Sequence, residues 1–299
     1  MRLSVCIDTG RPWAQMRQIG ELGDRHGWYA VYVCDHFLPY APPGGHPEGA
    51  MLESWTVLSA LAALTSQVRL GPLVLGNTYR HPAIVANMAA SLDHVAGGRV
   101  VLGLGAGWQL NEHIAYGIDL PPVPQRMDRF EEACHVITSL LRQPRSSFDG
   151  RYYQLHDAAC DPRPVSPRLP ILVGGGGPRR TARIAATYAD IWHTWASPSN
   201  FHRKCDILDR HCLQVGRDPS QIQRATGQVV RVSASTAPAA SAAPDDDVIG
   251  TPEQILETLG RYANSRVSEF IVRDDRHVPI DKTLDMMSVL TTDVLPHLT

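Results

Sequence analysis

Asp35 and His36, in "VYVCDHF" (31–37), set a carboxylate and an imidazole side by side. Imidazole is the side chain best matched to moving a proton near neutral pH. Adjacent residues leaving a strand point apart, so these two are expected to serve different ligands, one a cofactor and the other a substrate. The plainer alternative is a turn-capping Asp and a His packed on Tyr40 or Trp55. A second cluster, "LVGGGGPRRT" (172–181), sets four glycines behind an apolar run. Bare N–H groups between a strand and a helix, with the partial positive charge of the helix N-terminus, make an anion site, most often for phosphate. Arg179 and Arg180 would reinforce it; a simple strand-to-helix turn needs only one or two glycines. The third, "LGLGAGW" (102–108), is G-x-G-x-G without the sixth-position glycine of a dinucleotide fingerprint. Its glycines are expected to let a flat ring lie against the backbone.

Short apolar runs alternate with helical patterns and supply the elements that must hold these residues. Strands are expected at 2–7, 29–36, 67–76, 99–107, 170–175, 190–195, 223–233 and 268–274. Helices are expected at 12–27, 53–65, 81–98, 126–143, 178–189, 199–216, 251–265 and about 281–297, many opened by proline and closed by glycine. Asp149–Gly150 signals a hairpin within 146–155. Eight strand–helix units with no linker between them predict α/β architecture, a (β/α)8 TIM barrel with insertion segments, over residues 1–299 as one domain. In such a barrel the site gathers at the C-terminal strand ends. These ends carry Asp8, Asp35, His36, Gly76, Asn77, Ala106, Gly107, Trp108, the glycine run, His193, Thr194, Arg273 and Asp274. The Ala-, Ser- and Pro-rich segment 233–247 is expected to be a surface loop or a decayed helix.

Composition narrows the function classes. With 28 basic and 30 acidic residues the net charge is −2, which lacks the basic excess of a nucleic-acid binder. No apolar stretch reaches the roughly 18 residues of a membrane span, and the N-terminus lacks a signal-peptide core. A cytoplasmic protein is expected, with its six cysteines reduced and no C-x-x-C pair. His36, His81 and His193 make no compact ligand motif with Asp8 and Asp35, so no metal site is expected.

The stretches 31–37, 53–108, 115–122, 147–155 and 170–193 together resemble the luciferase-like monooxygenase superfamily, in its branch that uses the deazaflavin coenzyme F420. The resemblance runs from the second strand to the sixth and implies a luciferase-like barrel, usually a homodimer, with the coenzyme ring at the C-terminal mouth. It implies that the ring lies over a non-prolyl cis peptide after the third strand, which here is Leu73–Val74, so both residues are expected on the cofactor. It further implies that Asp35 lies near the ring, that His36 is the active-site histidine, and that Gly76, Asn77, Ala106, Gly107 and Asn111 contact the cofactor. Gly175, Gly176 and Gly177 would bind its phosphate, with Arg179, Arg180 and Arg80 as candidates for the anionic tail. In the branch's sugar-phosphate dehydrogenases a glutamate follows G-x-G as proton donor; here that residue is Trp108, which puts a sugar phosphate in doubt and suggests an apolar wall for a flatter organic substrate. The expectation is an F420-dependent oxidoreductase acting on a small molecule, with His36 catalytic. The alternatives are an FMN-dependent monooxygenase of the same superfamily, a non-catalytic flavin-binding barrel, and a metal hydrolase.

Overall fold

The computed structural model describes residues 1–42, 45–233 and 247–298. The expected loop or helix at 233–247 lies, but for its end residues, outside the described residues. In chain order the elements are β1 (Arg2–Ile7), α1 (Trp13–Arg25), β2 (Ala30–Val33), α2 (Ser54–Leu64), β3 (Arg69–Pro72), β4 (Leu75–Gly76), α3 (Pro82–Val95) and β5 (Leu102–Gly105). There follow α4 (Leu110–Tyr116), α5 (Val123–Arg142), β6 (Ser146–Asp149), β7 (Gln154–Ala158), β8 (Ile171–Gly174), α6 (Arg180–Tyr188) and β9 (Ile191–His193). The last are α7 (Pro198–Gln214), β10 (Gln223–Gln228), β11 (Val230–Val232), β12 (Val248–Gly250), α8 (Pro252–Asn264), β13 (Glu269–Arg273) and α9 (Ile280–Val289).

The main sheet runs β3-β2-β1-β13-β10-β9-β8-β5-β4, every pair parallel. Its two ends, β3 and β4, are the halves of one expected strand, and a parallel bridge from Leu70 to Val100 joins β3 to the β5 side. The sheet is therefore a closed barrel of eight strand positions, as the alternating pattern predicts. The break between the halves is the non-prolyl cis bond Leu73–Val74.

Strand alternation explains the two cores. Cys6, Ala30, Tyr32, Val101, Leu172, Ile191, Ala225 and Ile271 fill the barrel interior, while their chain neighbours face the helices. Helices cover the outside with one apolar stripe each; in α1 this is Met16, Ile19, Gly20 and Gly23. The interior leaves no room at Gly103, where a Cβ would stand 2.0 Å from the Pro72 carbonyl oxygen and 3.1 Å from Val74. Val74 also crowds Gly105 and Gly174. Gly103 thus answers to the Pro72 carbonyl and Gly105 to Val74.

Two departures from expectation lie at the rim. The expected strand 223–233 divides, and its second half, β11, pairs with β12 outside the barrel. The hairpin β6–β7 forms, but its loop is wider than a two-residue turn, closing with Gly150 N–H on the Tyr153 carbonyl.

Candidate active site at the barrel mouth

Beyond β2 the chain places Asp35 and His36 on different tasks. Asp35 is 3% exposed. Its Oδ1 accepts from Ser54 Oγ and from Arg80, and its Oδ2 accepts from the Gly76 N–H and from Arg80, at 2.8–3.0 Å for the last three contacts. A carboxylate offers about four acceptor positions, and all are taken. Asp35 thereby fixes Gly76 at the end of β4. Arg80 shares in that arrangement. It is clamped between Asp35 and Glu53, 2.6 Å from the latter, and is not a free cation for an anionic tail.

His36 turns to a partner 76 residues away. Its Nδ1–H donates to Glu112 Oε1 at 2.8 Å, and Glu112 is wholly buried. Glu112 Oε2 accepts from the N–H groups of Phe37 and Leu38, and Tyr79 OH donates to Oε1. Burial works against a charge on His36, but the hydrogen bond and charge of Glu112 outweigh it and raise His36 above the ordinary histidine value. Burial likewise pushes Glu112 up, yet His36 and Tyr79 bring it to a net value below the usual carboxylate range. Tyr79, half-buried and donating to Glu112, is held well above the usual phenol range by that burial and by the carboxylate. With Nδ1 committed, Nε2 is the nitrogen left to exchange a proton. The His36 ring meets Trp108 edge-on at 5.5 Å, and Trp108, 58% exposed, stacks with Tyr40.

The glycine run forms the opposite part of the mouth. Gly175 has φ +130°, its N–H bonds to the His193 carbonyl, and Trp192 Nε1–H donates to the Gly175 carbonyl. Among the described residues the N–H groups of Gly176 and Gly177 have no hydrogen-bond partner. Lys204 Nζ, on α7, donates to the Gly176 carbonyl at 2.8 Å. A Cβ at Gly176 would lie 2.6 Å from both Lys204 Nζ and Thr194 Oγ1, so an ammonium, a hydroxyl and bare amides converge there. Burial, then the Arg203 charge, lower Lys204 from the ordinary lysine value. Arg180 does not join them: it is paired with Asp128 and Glu131 of α5 at 2.7 and 2.8 Å. Arg179 is exposed at the N-cap of α6.

Between the two sides lie the remaining strand ends. Asn77 N–H bonds to the Gly105 carbonyl, and its side chain donates to Tyr153 OH. Ala106 and Gly107 follow β5, with Gly107 at φ +82° against Thr78. Asn111, expected on the cofactor, instead donates to the Pro39 carbonyl and ties α4 to the loop after His36; its Oδ1 is buried without a partner. His193 is 4% exposed, its Nε2 is also unpartnered, and burial pushes it down to about 3, which keeps it neutral. Among the described residues no group of three His, Cys, Asp or Glu side chains is placed to hold a metal ion.

Glu112 and Lys204 are the residues that sequence reasoning missed as site members. Glu112 sits on α4, a seven-residue helix not foreseen within the excursion after Trp108. Its signal was faint: a glutamate in a helix's first turn is ordinary there. Lys204 had a clearer signal, since the chain holds only two lysines and this one lies in a helix after strand 190–195.

A family model for luciferase-like monooxygenases matches residues 1–249. The chain is 37% identical over 181 residues to the F420-dependent glucose-6-phosphate dehydrogenase of Microbacterium testaceum (strain StLB037), which covers 60% of this chain and 52% of that protein. It is 41% identical over 156 residues to the enzyme of that description from Kineococcus radiotolerans, covering 52% and 44%. The matches thus span about half the length of these curated relatives. Among solved structures, an F420-dependent secondary alcohol dehydrogenase in complex with an F420-acetone adduct superposes with a TM-score of 0.81. That likeness covers 95% of this chain and 97% of the other at 22% identity, and is one of fold.

Proposed function

This chain belongs to the luciferase-like monooxygenase family, and from that premise we propose that it is an oxidoreductase using coenzyme F420 to move a hydride to or from a small organic substrate. The names of the relatives support the choice of coenzyme. The residues present fit it. Unpaired amides at Gly176 and Gly177, with Lys204 and Thr194 beside them, suit a phosphate ester on the tail. Val74, Gly76, Asn77, Ala106 and Gly107 offer strand-end backbone to a planar ring. When bound, the deazaflavin supplies the two-electron hydride chemistry. His36 Nε2 holds or accepts the proton that accompanies it, Glu112 keeps the imidazole oriented, and Asp35 and Arg80 keep the Gly76 edge in place. Trp108 and Tyr40 form an exposed aromatic wall beside His36 that favours a flat organic substrate and helps exclude water. We also read residues 1–299 as one barrel unit, acting as a cytoplasmic homodimer without nucleic-acid or membrane partners; the six unpaired cysteines support a reducing compartment.

The observation that carries the reading is the presence, on one barrel mouth, of an open imidazole nitrogen and a loop of bare amides. Titration of the purified protein with F420 and, separately, with FMN tests it by ligand fluorescence. Tight binding of F420 is expected. Binding of FMN alone, with oxygen inserted into a substrate when the flavin is reduced, would replace this reading with a monooxygenase; FMN binding without any turnover would replace it with a storage barrel.

A further inference from the structure

Two thiols face each other inside the barrel near its mouth, and no step above uses them. Cys6 lies on β1 and Cys34 directly follows β2. The strands pair in parallel, with Cys6 opposite Tyr32 and Ile7 opposite Val33. Cys34 is therefore one same-face step beyond Tyr32, on the interior side that Cys6 also occupies. The two Sγ atoms are 3.7 Å apart. No other two cysteines of the chain come within hydrogen-bonding distance, and Cys134, Cys160, Cys205 and Cys212 are all buried. Cys6 is 1% exposed, whereas Cys34 is partly open. The charged groups facing the pair are Asp8, Arg273 and His36. The hydrogen bond from Cys6 lowers Cys34 from the ordinary thiol value, burial opposes this, and the His36 charge assists. Cys6 is pushed the other way by that same hydrogen bond and by its burial.

We propose that Cys6 and Cys34 form a dithiol modification site that a hydroperoxide converts to a disulfide. Cys34 is the less enclosed residue of the two and attacks first; Cys6, 1% exposed, resolves. The Cys34 thiolate bonds to one peroxide oxygen, the O–O bond breaks, and Cys34 becomes a sulfenic acid. The displaced hydroxide takes up the proton that the Cys34 thiol gave to solvent, making the first water. Cys6 Sγ then attacks Cys34 Sγ, the S–O bond breaks, and the hydroxyl leaves with the Cys6 proton as the second water. In sum, two thiols and one hydrogen peroxide give one disulfide and two waters. Bonded sulfurs stand about 2.05 Å apart, and Cys34 lies one same-face step past the residue paired with Cys6, so forming the bond takes movement of the chain just after β2 as well as side-chain rotation. Because Cys34 precedes His36 by two residues, the cross-link ties the site's imidazole to β1.

The test does not need the coenzyme and is independent of the proposed activity. Reduced protein is treated with stoichiometric hydrogen peroxide, and its intact mass and non-reduced peptides are measured. The expected result is the loss of two hydrogens per chain, a Cys6–Cys34 peptide, and reversal by a thiol reductant. Cys34→Ser should abolish the mass loss. Cys6→Ser should leave a lasting sulfenic acid on Cys34 that a dimedone probe captures. Survival of both thiols, a first cross-link elsewhere or between chains, or an unchanged mass loss in Cys34→Ser would overturn the proposal. Should Cys6→Ser not fold, the wild-type peptide map and Cys34→Ser decide it alone.

Discussion

Glu112 settles which nitrogen of His36 is free to carry a proton. Its carboxylate holds Nδ1–H, and it is itself held by Tyr79 and by the amides of Phe37 and Leu38. Glu112→Gln removes the charge that raises His36, so the imidazole should titrate at lower pH, as followed by NMR of its ring protons. The sign for stability follows from the two shifts. The raised His36 contributes fully below the ordinary histidine value of about 6.5 and loses its contribution as pH rises through its own higher value. The lowered Glu112 contributes above the ordinary carboxylate value of about 4.3 and loses it as pH falls through its own lower value. The pair therefore stabilises most from about pH 4.3 to 6.5, and wild type should lose its advantage over Glu112→Gln on both sides of that window. His36→Ala should cut turnover by about 100-fold or more while leaving the affinity for F420 nearly unchanged in a fluorescence titration; normal turnover with collapsed binding would reverse the assignment. Arg80→Ala leaves the Asp35 carboxylate buried and unpaired, and should cost about 3 kcal/mol in urea unfolding. At this scale the sequence disclosed the polar pair 35–36 and its divergence, because both follow from adjacency. It could not disclose that Asp35 has no vacant acceptor, since Ser54, Gly76 and Arg80 reach it only in the folded chain.

Elements were more legible than partners. The eight barrel strands declare themselves by apolar runs between helical periods, and helix starts by residues such as Thr251 and Pro252, the N-cap and first residue of α8; the capping box with Gln254 is what the structure adds there. Helix α4 escaped because it is too short for a periodic stripe. The cis bond Leu73–Val74, at which the third strand divides, was expected from the family resemblance alone and is present, since no hydrophobic pattern encodes it. The glycines of "LGLG" were visible, but the reason for them was not. A ring against the backbone and a valine from the next strand make the same demand on sequence. Substitution separates structural glycines from dispensable ones. Gly103→Ala must drive a Cβ into the Pro72 carbonyl and should destabilise the barrel by upward of about 3 kcal/mol. Gly260→Ala, within α8 and with open space around it, should stabilise by about 0.5–1 kcal/mol. Thermal unfolding of the two variants beside wild type provides the comparison.

Over the whole molecule, closure of the sheet brings strand ends far apart in sequence onto one rim: residue 36, the 76–77 corner, 106–108, 174–177 and 193–194 become neighbours by topology. The (β/α)8 architecture was readable because it is a count of alternating units, whereas the α7 side chain that reaches the glycine loop was not, because a helix's rotation about its axis is set by packing. That side chain belongs to a scarce type. Lys204 and Lys282 are the two lysines among 299 residues, and the Lys282 side chain stands 68% exposed beside Asp285, three residues along α9. An acylating reagent aimed at lysine amines thus finds two targets in these 299 residues. Burial and the Arg203 charge lower the half-buried Lys204 amine from the ordinary lysine value, which favours its neutral, reactive form. Saturation with F420 should shield it while Lys282 goes on reacting, so tryptic mass spectra become a footprint of loop occupancy at single-residue resolution; equal labelling with and without the ligand would mean that the anion lies elsewhere.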